Sequence, residues 1–275
     1  MDYVRRFLFE DLDIRGALVR LGNSWHEMSA SHDFPPAIST LLGELTAVSA
    51  LIAGNLKTPG RITFQLQGHG KVSLLLVDCD ELLRLRGTAR TTLGADETAD
   101  FAALFGDGQL VLTLHANHGD PWQSIVPLVG SSLSAVFEHY LAQSEQQPAH
   151  LLLSANEDHV AGLFLQKLPG ADVKDPDGWN RLLHLAATIT HAELAEPAAT
   201  LLMRVFPEED IRLFDPRPVR YHCPRDEEKV LAMLKSLGRP EVEAAIREKG
   251  EMAIEDEICR QRYRYGPEIV ARLFD

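Results

Sequence analysis

Pro35-Pro36, AISTLLGELTAVSALIAGNLK (37–57) and RITFQLQGHGKVSLLLVD (61–78) contain the change of period that decides the fold. Ile38, Leu41, Leu42, Leu45, Val48, Leu51, Ile52 and Leu56 recur at three- and four-residue steps with small residues between them. A proline is tolerated in the first helical turn, so this stretch predicts a mostly buried helix. The period then drops to two. Ile62, Phe64 and Leu66 fall on one face and Thr63, Gln65 and Gln67 on the other, as in a strand, and Gly68-His69-Gly70 has the residues of a hairpin turn into KVSLLLVD.

Working outward, LLRLRGTAR (82–90), QLVLTLH (109–115), QSIVPLV (123–129) and LFLQKLP (163–169) predict strands, and Leu133 to Gln146 a helix. The class is α+β: an N-terminal α/β body with twisted antiparallel-rich sheets and helices, a helical linker, and a small C-terminal α+β domain. Turn formers dominate GADVKDPDGWN (170–180), which sets the first boundary. The expected domains are 1–175, a linker at 176–215, and 216–275. Leu182, Leu185, Ile189, Leu194, Leu201, Leu202 and Val205 give the linker a helical pattern that Pro197 interrupts. In the last domain, Asp226-Glu227-Glu228 opens a helix with Val230, Met233, Leu234 and Leu237 facing inward. Pro240 opens a second helix, with Val242, Ala245 and Ile246 inward. Short strands around 252–254 and 262–265 and a terminal helical turn complete it.

Hydrophobic content of 45% and charged content of 24% are those of a globular protein, which excludes wholesale disorder. No apolar run comes near the length of a membrane span, no signal peptide is legible, and three cysteines are too few for a stapled secreted fold; the expectation is a cytoplasmic protein. Of the net charge of −13, residues 1–215 carry all, with 28 acids against 15 bases. An acidic body repels phosphate backbones, so nucleic-acid binding is disfavoured.

Catalytic templates fail. GxSxG, the phosphate loop, HExxH and the dinucleotide fingerprint are absent, and histidines such as His115 and His118 scatter over loops. Nothing positive marks an enzyme. Cys79, in LLLVDCDELL, is read as a small core residue. Cys223, in YHCPRD, and Cys259, in EDEICRQ, lie 36 residues apart in the small domain, a spacing open to a two-cysteine contact or to half of a metal site.

RRFLFE and IRG (5–16), FQLQGHG (64–70), LRGTAR (85–90), YLAQSEQQP (140–148), LFLQKLP, FPEEDIRLFDPRPVRYHC (206–223), EEKVLAMLKSLG and CRQRYRYGPEIV together resemble the heat shock protein 33 family over nearly the whole chain. The resemblance implies an ATP-independent holdase for proteins unfolding under heat or oxidative stress, dimeric when active, with clients as partners and no membrane. It also implies a switch in which a CxC and a CxxC bind zinc, and oxidation expels the metal and frees apolar surface.

The chain departs from that pattern at the ligands. The CxC position reads Cys223-Pro224-Arg225 and the CxxC position Asp256-Glu257-Ile258-Cys259. A residual zinc set of His222, Cys223, Asp256 and Cys259 is conceivable, but neighbouring residues rarely aim at one ion, and no cofactor is expected. An Arg225–Asp256 ion pair in place of the metal, a Cys223–Cys259 disulfide, and two idle thiols all stay open. Client contact is expected on the body and at Leu182, Leu185, Ile189, Leu201 and Leu202. Two rival functions remain: an adaptor for one native partner, and a thiol oxidoreductase using Cys223 beside Arg225.

Overall fold

The computed structural model describes residues 1–56, 60–116 and 119–275. His118 lies outside them. In chain order the first part runs β1 (Tyr3–Phe9), β2 (Ile14–Leu21), α1 (Asn23–Ser29), α2 (Pro36–Asn55), β3 (Gly60–Gln67), β4 (Val72–Asp80), β5 (Arg84–Thr91), α3 (Phe101–Phe105), β6 (Gln109–Ala116), β7 (Trp122–Pro127), α4 (Leu133–Ser144), β8 (Ala149–Ala155) and β9 (Val160–Lys167). Then come α5 (Ala171–Lys174), α6 (Gly178–Ala186), α7 (His191–Leu194), α8 (Ala198–Val205), β10 (Ile211–Leu213), β11 (Arg217–Pro218) and β12 (Arg220–Tyr221). The last part is α9 (Glu227–Leu237), α10 (Arg239–Lys249), β13 (Met252–Glu255), β14 (Arg262–Tyr265) and α11 (Ile269–Phe274).

Two six-stranded sheets form. One has the order β10-β1-β2-β9-β8, with β11 also on β1; the other runs β12-β5-β4-β3-β6-β7. All pairings are antiparallel except β12 on β5. Helix α2 packs against strands of both sheets. Its apolar residues point in nearly every direction because it is surrounded, and the buried hydroxyls of Thr46 and Ser49 donate to the carbonyls of Leu42 and Leu45, each at 2.7 Å. Gly43 lets it approach the first sheet: a Cβ there would sit 2.6 Å from that of Ala155. By length and composition α2 is apolar enough to cross a membrane, which corrects the expectation that no run approached that length; most of it is buried, as in a core helix.

The first sheet is apolar on both faces. Along β1, β2 and β9, Val4, Ala17, Val19, Leu21, Val160 and Phe164 join the core around α2. The alternate positions Phe7, Phe9, Ile14, Leu18, Ala161, Leu163 and Leu165 join a second core with Leu182, Leu194, Leu201, Leu202 and Phe206. The period of two thus sorts one sheet into two cores.

The chain divides into two compact units, Met1–Tyr221 and His222–Asp275. The expected break at 170–180 is spanned by α5 and the start of α6, and residues 176–215 belong to the first unit because α6, α7 and α8 supply a large share of its second core. Residues 216–221 also stay there. β11 pairs with β1, β12 pairs with β5, and Arg217 donates to the Gly54 and Glu81 carbonyls at 3.1 and 2.8 Å. In the second unit Leu234, Val242, Ile269 and Leu273 form the core. Met233 and Leu237, expected inward, are exposed, because α9 presents only a narrow stripe to so small a core.

Candidate functional site

In the unit His222–Asp275, strands β13 and β14 pair from Met252↔Tyr265 to Glu255↔Arg262, and the loop between them carries Cys259. Asp256 builds that loop. Its Oδ1 accepts the backbone N–H groups of Ile258 and Cys259 at 2.9 and 2.8 Å, and its own N–H and C=O bond to Gln261 and Arg260. Cys223 lies opposite, with a Cα–Cα distance to Cys259 of 6.3 Å, inside the range a disulfide spans, and the two sulfurs stand at disulfide distance. Cys259 is buried and Cys223 half-buried.

The segment before α9 is held to β14 by more than sulfur. Gln261 Nε2 donates to the Cys223 carbonyl, and the Asp226 N–H donates to the Tyr263 hydroxyl at 3.0 Å. Arg225 lays its guanidinium over the Tyr263 ring, 4.6 Å from the centroid, and donates to the Arg262 carbonyl at 3.0 Å. This corrects the expected Arg225–Asp256 ion pair. Arg225 is spent on an aromatic face and a carbonyl, while Asp256 is spent on its own turn. Neither Gln261 nor Tyr263 stood out in the sequence, since each matters only once β14 is folded against the 223–226 segment.

The donor atoms of Cys223, Asp256 and Cys259 lie within 4.8 Å of one another. Exposed His222 is not part of this group. A structural zinc takes four tetrahedral donors, usually sulfur and imidazole. Here there are three among the described residues, the Arg225 guanidinium is turned onto Tyr263, and Oδ1 of the only oxygen donor already accepts two amides. The set does not fit a structural zinc. It fits a disulfide.

In the other unit the five apolar candidates fall together. Leu182, Leu201 and Leu202 are buried in the second core, and Leu185 and Ile189 pack against it half-buried. Leu182 and Leu185 lie on α6, Leu201 and Leu202 on α8, and Ile189 in the 187–190 break before α7. Few polar ties hold this cover. Arg181 bridges Asp175 and Glu209 at 2.9 and 2.8 Å, Thr190 and Glu193 form a capping box, Arg204 pairs with Glu196 at 2.8 Å, and the Ala198 N–H donates to the Tyr3 hydroxyl at 3.1 Å. Arg181 holds the Asp175 carboxyl below its usual value. Beside α8 a groove of about 490 Å³ is lined by Leu202, Met203, Phe206, Ile211 and Leu213. Cys79 is fully buried and free, and burial pushes its thiol well above the ordinary range.

The family model described as Hsp33 protein matches residues 2–266. The chain belongs to the Hsp33 family. It is 39% identical to the 33 kDa chaperonin of Shewanella oneidensis over 99% of this chain and 96% of that one. It is 37% identical to the 33 kDa chaperonin of Methylobacillus flagellatus, over 99% and 94%. The crystal structure of the Thermotoga maritima 33 kDa chaperonin, a heat shock protein 33 homolog, superposes with a TM-score of 0.84 at 20% identity, covering 98% of this chain and 97% of that one. The Hsp33 fold is therefore complete here, and the family is one of chaperones rather than enzymes. Hsp33 proteins bind zinc through cysteines; in this chain Cys223 and Cys259 form a pair at disulfide distance.

Proposed function

We propose that the protein is an ATP-independent cytoplasmic holdase that binds unfolding polypeptides on the apolar face beneath α6, α7 and α8, and that a Cys223–Cys259 disulfide replaces the family's zinc as the clasp of the small unit. The observation that carries this reading is the two-faced first sheet. Phe7, Phe9, Ile14, Leu18, Leu163 and Leu165 form a continuous apolar surface whose cover is three helices of nine, four and eight residues. Helices this short have no stability of their own and hold only by packing. Loosening them exposes sheet and helix faces together, which is a patch of the kind that captures unfolded chains.

The redox logic inverts. Where zinc is the clasp, oxidation removes it. Here oxidation forms it: two thiols yield two electrons and two protons to a disulfide oxidant such as oxidised glutathione, and the new bond closes a loop between residues 36 apart. In the chain-entropy model such a bond stabilises by about 3–4 kcal/mol, against an apparent 10–16 kcal/mol for a structural zinc. The small unit is thus weakly held at best, and warming with reduction is the condition that opens it. The acidic first unit keeps a sticky protein soluble and away from nucleic acids.

The test is light scattering from a heat-unfolded client without nucleotide, with the protein either reduced and chelator-treated or oxidised. Suppression of aggregation that sets in at a lower temperature for the reduced form supports the reading. Suppression that appears only after oxidant contradicts the inverted logic. Turnover of a dithiol substrate lost in Cys223→Ser, or capture of a single native protein in place of many unfolded ones, would favour the oxidoreductase or the adaptor instead.

A further inference from the structure

The second sheet buries one face around α2 through Ile62, Phe64, Leu75, Val77, Leu85 and Leu112. Side chains alternate along a strand, so the residues between these form the opposite face, and the strand pairings line it up in rows. Arg220 on β12 stands beside Arg84 on β5, followed by Asp80 on β4, Arg61 on β3 and His115 on β6. In the next row Arg86 is followed by Asp78, Thr63, Thr113 and Gln123.

The charge of this face is opposite to that of its surroundings. Residues 1–215 hold 28 acids against 15 bases, yet the face carries Arg61, Arg84, Arg86, Arg90 and Arg220 against Asp78 and Asp80, with Glu81 in the turn beyond. Both aspartates are engaged. Asp78 is buried and accepts from the Thr63 hydroxyl and from Arg86 Nη2 and Nε at 2.8 and 3.0 Å. Asp80 accepts from Arg84 Nε at 2.6 Å and from the backbone N–H groups of Leu82 and Arg84. Arg61 and Arg220 are exposed and form no ion pair among the described residues.

Adjacent strands lie about 4.8 Å apart, so the backbones at Arg220 and Arg61, three strands apart, are about 14 Å from each other. On an extended chain the side chains at i and i+4 share a side and lie about 13 Å apart. A segment laid across the row with acids at i, i+2 and i+4 sets one carboxylate on Arg220, one on Arg61 and the middle one toward Arg84, where guanidinium and carboxylate match in shape.

We infer that this row is a docking site for a short acidic segment of an unfolding polypeptide, held extended across β12, β5, β4 and β3. The inference rests on the holdase reading above and names a class of client for it. Charge selects the occupant, because a chain of net charge −13 repels acidic polypeptides over the rest of its body. Length selects a short one. A nucleic acid or a long polyphosphate runs off the row onto a body that is otherwise acidic, whereas a polypeptide changes composition within a few residues.

Amide NMR spectra of the full chain at low salt test this with a blocked Asp-Ser-Asp-Ser-Asp-Ser peptide. It should shift resonances of β3, β5 and β12, and its Asn-Ser counterpart should not. Exposed ion pairs are individually weak, so Arg61→Gln combined with Arg220→Gln should loosen the acidic peptide about threefold to tenfold and leave thermal unfolding unchanged. Equal binding of the two peptides, an affinity unchanged in the double variant, or shifts confined to other strands overturns the proposal. So does tighter uptake of a short polyphosphate or oligonucleotide at the same arginines. Aggregation suppression is scored separately with a client that has no acidic segment, which wild type and double variant should protect equally. Failure of both to protect it, with the acidic peptide still bound at the row, would refute the holdase reading and uphold the acidic-segment site.

Discussion

At the scale of single residues, Arg225 and Asp256 are better understood from what each side chain touches than from what it fails to bind. Arg225 and Asp256 hold the loop geometry around the cysteine pair, one by stacking on Tyr263 and the other by capping the turn that presents Cys259. Cys223→Ser should therefore lower the stability of the small unit by about 3–4 kcal/mol under oxidising conditions and leave the reduced protein nearly unchanged, as read by chemical denaturation in both states. Glu44 is a separate case. It sits half-buried on α2, and burial pushes its carboxyl up to about 7 from 4.5. The folded chain then holds a proton that the unfolded chain has lost between those values, so stability falls as pH rises through that window and the full penalty applies above it. Glu44→Gln should raise the thermal midpoint at pH 8, by the equivalent of about 1–3 kcal/mol, and change little near pH 4.5. Equal midpoints at both pH values would refute this assignment.

Among elements, the central helix and the strands from β3 to β7 were legible in the sequence because each is an apolar run of helical or strand length bounded by turn residues. The hairpin turn at Gly68-His69-Gly70 was legible for its residue types. The two-faced role of the first sheet was not. In β9, VAGLFLQK, apolar residues occupy both parities, so the run shows a buried strand but not which neighbour buries each face. The linker helices were visible as helices, yet their membership in the first unit depends on Phe7, Phe9 and Ile14, some 170 residues away in sequence. Likewise Arg225–Tyr263 and Gln261–Cys223 join segments nearly 40 residues apart, and local patterning holds no trace of them. The cover itself makes a prediction. Leu201→Ala leaves a cavity at a fully buried site and should cost about 2–5 kcal/mol locally. Onset of aggregation suppression should move to lower temperature, and an onset unchanged from wild type would mean that α8 does not gate the client surface.

For the whole molecule, the family fold is retained, and the proposed function puts a cysteine pair where the family has a metal clasp. A clasp worth a few kcal/mol lies close to what a modest rise in temperature removes, so the proposed reading replaces a chemical trigger with a thermal one carrying a redox bias. The most direct measurement of that claim is amide hydrogen exchange on the full chain, reduced and oxidised, across a temperature ramp in the presence of an unfolding client. The account predicts that peptides spanning 178–205 lose protection before β3–β6, and do so at lower temperature when Cys223 and Cys259 are reduced, while peptides from β1 and β9 gain protection as client binds. Cover helices that stay protected while aggregation is suppressed, or that open only in the oxidised protein, would contradict it.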